Sequence, residues 1–214
     1  MAERKSGFGT ANERSEGSEG ARKLLAAAER LFAERGFDSV SVADISELAG
    51  VSKGNLFHHF KSKKNLYLAA LNSAGMRTTS NPDQDPDSSP VQRLQVQFGQ
   101  QLNRLTQDSQ ATRLVLRELL DHGSEHSKEL AEEIYAEAFA HAVSQVREGQ
   151  QEGQLRDDFD PGLLAFVMLA TNVFYFQAES LFKFITDATF VWDPESYNEV
   201  VFDLLLNGAV QAKR

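Results

Sequence analysis

Along the first third of the chain, apolar residues recur at three- and four-residue intervals in short blocks separated by small polar residues. Leu24, Leu25, Ala28, Leu31 and Phe32 predict one amphipathic helix that starts at Ala21 and stops at Gly36. Ser41 stands where an N-cap belongs, with the Asp44 carboxylate one turn on. Val42, Ile45, Leu48 and Ala49 form the apolar face of a second short helix, ended by Gly50. Ser52 caps a third helix carrying Leu56 and Phe60, and Ser62 caps a fourth carrying Leu66, Leu68, Ala69 and Leu71. These four helices fill residues 21–78.

The stretch from Thr78 to Pro90 is polar, charged and punctuated by proline, which predicts a loop or hinge over 79–89. Helical periodicity then returns at about 90–107, 110–121, 127–150, 160–186 and 195–212. The lone strand candidate, Ala188 to Trp192, is too short to outweigh these helices. The expected fold class is all-α, with a helical head over 21–78 and a second helical domain over 90–214. Residues 1–20 are rich in Gly, Ser and Glu with little to bury and predict a disordered arm. Arg4, Lys5 and Arg14 are the cations that would give that arm a minor-groove role.

With 41% hydrophobic residues in 214, the chain can bury a sizeable core, and the absence of cysteine excludes disulfides, thiolate metal sites and a cysteine nucleophile. The opening MAERKSGFGT has no apolar core of a secretory signal. The longest apolar run, Gly162 to Phe176, is broken by Thr171 and Asn172 and falls short of the roughly 20 residues that span a bilayer, so it reads as a buried helix or an interface. A cytoplasmic protein with no membrane partner is expected.

The net charge of -9 would argue against a nucleic-acid partner if it were evenly spread. It is not: residues 1–20 carry -1, residues 21–79 carry +4 and residues 80–214 carry -12. A cationic head on an acidic body suits a protein that presents one face to phosphates and repels them elsewhere.

From Val42 to Phe60 the chain has the plan of a helix-turn-helix. Gly50 can take the left-handed angles of a sharp turn, Ala49 and Val51 fit the tight corner, and Ile45 and Leu56 can lock the two helices. The second helix then offers Ser52, Lys53, Gly54 and Asn55 near its N-terminus, the end that lies nearest base edges in a major groove.

Over Ala21 to Leu71 the chain resembles the tetracycline-repressor family. The first helix ends in Phe-Ala-Glu-Arg-Gly-Phe37, followed by Ala-Gly-Val-Ser-Lys-Gly-Asn-Leu-Phe-His-His-Phe60 and Lys61-Ser-Lys63. The resemblance implies a homodimer of all-α subunits, a DNA-binding head and a C-terminal domain with an effector pocket. It also implies that Ser41 and Ser52 cap helices and touch phosphates, that Lys53, Gly54 and Asn55 face bases, that Phe57, His58 and His59 lie on the sugar-phosphate backbone, and that Lys63 reaches a phosphate. Phe57 stands where the family usually has tyrosine, so a hydroxyl contact is missing, and Ala43 stands where some members place a base-reading arginine. Sequence recognition should lean on Lys53 and Asn55, which suit guanine and adenine edges. Taken singly, each of these residues reads equally well as part of a solvated face; the register groups them.

The last two long segments are the ones that family members pair between subunits. Val167, Phe174, Ala178, Leu181 and Ile185, with Val201, Leu204, Leu205 and Gly208, are the interface candidates; burial within one subunit is the alternative. A pocket between the middle helices is expected to be lined by Phe98, Leu102, Leu116, Tyr135, Phe139, Phe166, Met168, Asn172 and Tyr175, although aromatic stripes more often form core. The partners implied are a palindromic operator, a small-molecule effector and a second copy of the chain, with no cofactor, metal or catalytic residue.

His122-Gly-Ser-Glu125-His126 matches an inverted zinc-peptidase string, but Gly123 and Ser124 fall at a break between helices and no third ligand is evident. A metal-dependent hydrolase is therefore set aside, as is metal sensing through His122, His126 and Glu129. The expected function is a ligand-responsive repressor. An activator of the same fold and a sequence-indifferent DNA binder are the other readings.

Overall fold

The computed structural model describes residues 11–79, 85, 87–120, 132 and 135–207, with side chains from residue 19 onward. The helices are α1 (Ala11–Arg35), α2 (Val42–Ala49), α3 (Lys53–Phe60), α4 (Lys63–Thr79), α5 (Pro90–Gln107), α6 (Ser109–Leu120), α7 (Ala136–Gln151), α8 (Pro161–Phe182) and α9 (Pro194–Asn207). A 3-10 turn over Thr189–Trp192 precedes α9, and no strand occurs among the described residues. The fold is all-α, and the short strand candidate is helical instead.

Two expectations need correction. Helix α1 begins at Ala11, inside the stretch expected to be disordered. Adding turns to an existing helix gains a hydrogen bond per residue without a new nucleus, and the Glu19–Lys23 ion pair at 2.8 Å supports the join. Leu48, expected on the apolar face of α2, is instead 45% exposed.

The caps account for the helix starts. Ser41 accepts from the Asp44 amide at 3.1 Å while its own N–H donates to the Asp44 carboxylate at 2.8 Å, a reciprocal capping box. Ser52 accepts from the Asn55 N–H at 3.2 Å and Ser62 from the Asn65 N–H at 3.0 Å. Ser89 with Gln92 repeats the box at α5, where Pro90 takes the first turn, and Asp160 with Pro161 does the same work for α8.

Two apolar clusters result. The first joins α1 to α4 with α6: Leu24, Phe32, Ile45, Leu56, Leu66 and Leu71 pack with Ala111, Leu114 and Val115. Helix α6 thus belongs mechanically to the head. Arg117 fastens it to the end of α1 by donating to the Ala33 and Glu34 carbonyls, both at 3.3 Å, and Tyr67 of α4 donates to the buried Glu118 carboxylate. The second cluster holds Leu94, Phe98, Val146, Met168 and Phe202 from α5, α7, α8 and α9.

A buried polar clamp closes the second cluster. The Asn172 amide donates to the Phe98 carbonyl at 2.9 Å and to Gln101 Oε1 at 3.0 Å, and Asn198 donates to the same carbonyl at 3.4 Å. Nearby, the hydroxyl of Tyr197 donates to the Thr171 carbonyl at 2.9 Å, and burial pushes its pKa up to about 12. Satisfying these groups inside the core is what allows α8 to carry an asparagine in the middle of an apolar run.

Candidate nucleic-acid interface and ligand cavity

The turn between α2 and α3 rests on Gly50, at φ 66° and ψ 31°, whose N–H returns to the Glu47 and Ser46 carbonyls. A Cβ there would meet nothing within 4 Å, so the requirement for glycine is conformational rather than steric. Leu56 is fully buried and fixes α3 to the core, a contribution of about 1.5–3 kcal/mol. That leaves Ser52, Lys53, Gly54, Phe57 and His58 exposed on one side of α3 and His59 half-buried beside them. Phe57 is 49% exposed, an apolar ring on the surface of an otherwise polar helix.

Ser41 and Lys63 are engaged locally by their side chains, as Ser52 is by its cap, and Asn55 is crowded. The hydroxyl of Ser41 donates to the Asp44 carboxylate at 2.6 Å, and these Ser41 hydrogen bonds hold the Asp44 carboxyl below its ordinary pKa. The ammonium of Lys63 sits 4.1 Å over the Phe37 ring. Asn55 is half-buried, its Oδ1 has no hydrogen-bond partner, and a Cβ on Gly20 of α1 would lie 3.1 Å from both ends of its amide. A side chain at position 20 would therefore displace the Asn55 amide, a coupling between α1 and the recognition helix that the sequence pattern did not signal.

Lys61 links this surface to α4 through a γ-turn: φ is 67°, and the Ser62 N–H returns to the Phe60 carbonyl at 2.8 Å. It alone among the described non-glycine residues has a positive φ. Its ammonium donates to the His58 carbonyl at 2.9 Å and so closes the C-terminal end of α3.

At the other end of α4 lies a partly open cavity with about 80 Å³ of free space, bounded by α4, α5, α6, α7 and α8. Phe98, Leu116, Tyr135, Phe139 and Met168 line it as the sequence suggests, and burial pushes the Tyr135 phenol up. Four other candidates do not line it. Leu102 and Tyr175 are core residues, Tyr175 donating to the Val191 carbonyl at 3.0 Å. Asn172 belongs to the polar clamp, and Phe166 points outward, 57% exposed. Thr78, Thr79, Gln97, Gln101 and Arg104 are the polar wall that the reading of the sequence missed. The signal lay in α5, where residues 97, 101 and 104 flank the apolar stripe of Leu94, Phe98 and Leu105 on one side.

Among the interface candidates, Phe174 and Leu181 are each 64% exposed, Ile185 46% and Leu204 44%. Val167 and Ala178 are half-buried. Val201 and Leu205 are half-buried and pack against the second core cluster. Gly208 and the His122 to Glu129 string lie outside the described residues. Helix α8 has 22 residues, with mean hydropathy 1.4 over its most apolar stretch, and by length and composition alone could cross a bilayer, yet Asn172 at its centre is buried against α5.

A helix-turn-helix head joined by one helix to an all-helical body with an internal cavity defines a class of DNA-binding regulator. Residues 24–70 match the model of bacterial regulatory proteins of the tetR family, and residues 90–198 match a tetracyclin repressor-like C-terminal domain. The chain belongs to the tetR family.

Among curated relatives, the transcriptional repressor DhaR of a Mycobacterium species is 30% identical over 146 residues, covering 66% of this chain and 73% of that one. The regulator TtgR of Pseudomonas putida is 31% identical over 118 residues, 52% of this chain and 54% of TtgR. QacR of Staphylococcus aureus is 44% identical over 50 residues, 23% of this chain and 27% of QacR. The chain thus spans about a quarter to a half of the length of QacR and TtgR. The transcriptional regulator FadR of Bacillus subtilis, solved in complex with stearoyl-CoA, superposes with a TM-score of 0.71 at 18% identity, covering 88% of this chain and 99% of that one. A regulator from Marinobacter aquaeolei gives 0.72 at 19% identity over 91% and 97%. At these identities the likeness is one of fold.

Proposed function

We propose that the chain is a ligand-responsive transcriptional repressor that binds a palindromic operator as a homodimer in the cytoplasm. Residues 21–78 act as the reading head and residues 90–214 as the effector-binding and dimerisation domain. The observation that carries this reading is α4. It starts at Lys63 beside the recognition helix and ends at Thr78 and Thr79 on the cavity wall, a rigid span of about 25 Å at 1.5 Å per residue. A ligand that prefers one position of that wall shifts the position of the head, and only by the difference in its affinity for the two states. The stearoyl-CoA held by the similarly folded FadR supports an effector in the body, and the name of DhaR supports repression.

Lys53 reads base edges with Gly54 and Asn55 beside it, while Ser41, Ser52, Phe57, His58, His59 and Lys63 fit the phosphate and groove wall. Two heads roughly 34 Å apart require a dimer, and the outward residues of α8, Leu163, Phe166, Phe174 and Leu181, share one face that is exposed among the described residues.

Selection of bound sequences from a random DNA pool, followed by titration of wild type and Lys53→Ala at fixed salt, tests the reading. A palindromic consensus bound about 10³-fold or more above random DNA is expected, with Lys53→Ala losing about 1–3 kcal/mol at one base position of each half-site. No enrichment, or equal affinity for selected and random DNA, sinks the specific-repressor reading.

A further inference from the structure

Arg104 is an uncompensated cation in an apolar wall. Its Nε is buried without a hydrogen-bond partner, and its Nη1 reaches the Gln100 side chain only at 3.5 Å, the limit of a hydrogen bond. Among the described residues no aspartate or glutamate lines the cavity, and Arg104 is its one charged side chain. The chain as a whole is strongly acidic, at -9, so carboxylates are abundant and simply are not placed here. Burial pushes the pKa of the guanidinium below its ordinary value, as expected for a cation stripped of water without an anion in exchange.

Leaving such a group unpaired is costly, and the penalty is lifted by whatever brings a negative charge to it. The flanking side chains suit the same visitor. Gln101 accepts from Asn172 through Oε1 at 3.0 Å, which leaves its NH2 to donate. The Oε1 of Gln97 is stranded, and turning that amide over presents a further NH2. Beyond the hydroxyls of Thr78, Thr79, Thr112 and Tyr135, the wall is apolar, with Phe98, Leu116, Phe139, Met168, Leu169 and Val173 as its larger side chains.

We infer that the cavity is built for an amphipathic anion: an apolar chain lies among the aromatic and aliphatic side chains while a carboxylate or phosphate head pairs with Arg104, assisted by Gln97 and Gln101. This deepens the proposed function and rests on the cavity being the effector site. The geometry also says how the anion acts. Arg104 lies one turn before Asp108, whose N–H returns to its carbonyl at 3.1 Å, and Asp108 is held by Arg77 of α4 at 2.7 Å. Drawing the end of α5 towards a bound head pulls on the helix that carries the DNA-reading surface.

The test is calorimetric titration of the full chain, without DNA, with dodecanoate, dodecanoyl-CoA, dodecanol and dodecyltrimethylammonium, on wild type, Arg104→Met and Arg104→Lys. At least one of the two anions is expected to bind wild type about tenfold or more tightly than dodecanol, and the cation more weakly still. Which anion binds tells a free carboxylate from a phosphate-bearing thioester. Arg104→Met should bring the anions to the level of dodecanol while changing dodecanol less than twofold, and Arg104→Lys should keep part of the preference. Because it removes an unpaired buried charge, Arg104→Met is expected to melt no lower than wild type.

Charge-blind binding by wild type, an Arg104→Met variant that keeps its preference for anions, or no binding of either anion overturns the inference. The wild-type comparison decides even if a variant fails to fold. Failure here leaves the operator selection untouched, and failure of that selection leaves this titration standing, so the two readings fall separately.

Discussion

The guanidinium of Arg77 on α4 lies 2.8 Å from the carboxylate of Glu29 on α1, and it holds Asp108 at the α5–α6 junction at 2.7 Å through its Nε. One side chain thus ties three parts of the chain at the cavity end of α4. The Glu29 carboxylate is 9% exposed whereas Arg77 is 42% exposed, so the pair is buried on one side only. Arg77→Met strands the carboxylate and is expected to lower the unfolding free energy by about 1–3 kcal/mol, less than for a fully buried pair because water still reaches the arginine. Glu29→Gln should cost less, and the double variant less than the sum of the singles. Urea unfolding of the four proteins gives the cycle, and strictly additive losses would show that the pair carries no coupling.

Asp108 gives the same junction a pH dependence. Burial pushes its carboxyl up, but the hydrogen bonds from Arg77 and from the Ala111 N–H outweigh that, and it ends below its ordinary value. A carboxyl lowered on folding contributes stability that is present above its unfolded pKa, about 3.9, and lost as pH falls through its lower folded value. Wild type should therefore lose stability more steeply than Asp108→Asn as pH falls below about 4. With both partners more than a third exposed, at 36% and 42%, the difference should stay under about 1 kcal/mol. Denaturant midpoints of the two proteins from pH 6 to pH 2.5 measure it, and parallel curves would mean that the ion pair is fully screened.

Gly20 and Asn55 couple α1 to the recognition helix. Gly20→Ala replaces glycine inside a helix, a gain of about 0.5–1 kcal/mol, and places a methyl 3.1 Å from the Asn55 amide, which is free to swing because no partner holds its Oδ1. Thermal stability is expected to hold or rise while operator affinity falls several-fold. In an Asn55→Ala background the same substitution should leave affinity unchanged. An equal loss in both backgrounds would place the effect of Gly20 elsewhere on the head.

The helices and the turn at Gly50 were legible because each carries a local signal: Ser41, Ser52 and Ser62 cap, Leu24, Phe32 and Leu56 repeat with helical period, and glycine supplies the left-handed angle. The cavity was half legible. Periodicity says that Phe98 and Met168 are inward but not whether they meet a core or a void. It ranked Leu102 and Tyr175 alike with them, and these turned out to be plain core. Arg104 was passed over because a charge next to an apolar stripe ordinarily snorkels to water; whether it can depends on α4, α6, α7 and α8, which lie far away in sequence. The Arg77–Glu29 pair, 48 residues apart, has no local signature at all.

Helix α8 carries the assembly question. Leu163, Phe166, Phe174 and Leu181 are between 57% and 64% exposed and fall on one helical face, while the opposite face holds Ala165, Met168, Asn172 and Tyr175 inside the chain. A helix apolar on both sides needs two partners, and among the described residues α8 has cover for one face only. Covering the other with the same face of a second copy, together with Leu204 of α9, removes the exposed rings from water at about 25 cal/mol per Å² and closes by two-fold symmetry. Phe174→Glu introduces two like charges at such a contact and is expected to yield a monomer in sedimentation velocity, with its affinity for a palindrome reduced to that for an isolated half-site. Val96→Glu, at a 47% exposed position on α5, is the control and should leave the dimer intact. A Phe174→Glu protein that still sediments as a dimer would move the interface off α8 and require another explanation for its two apolar faces.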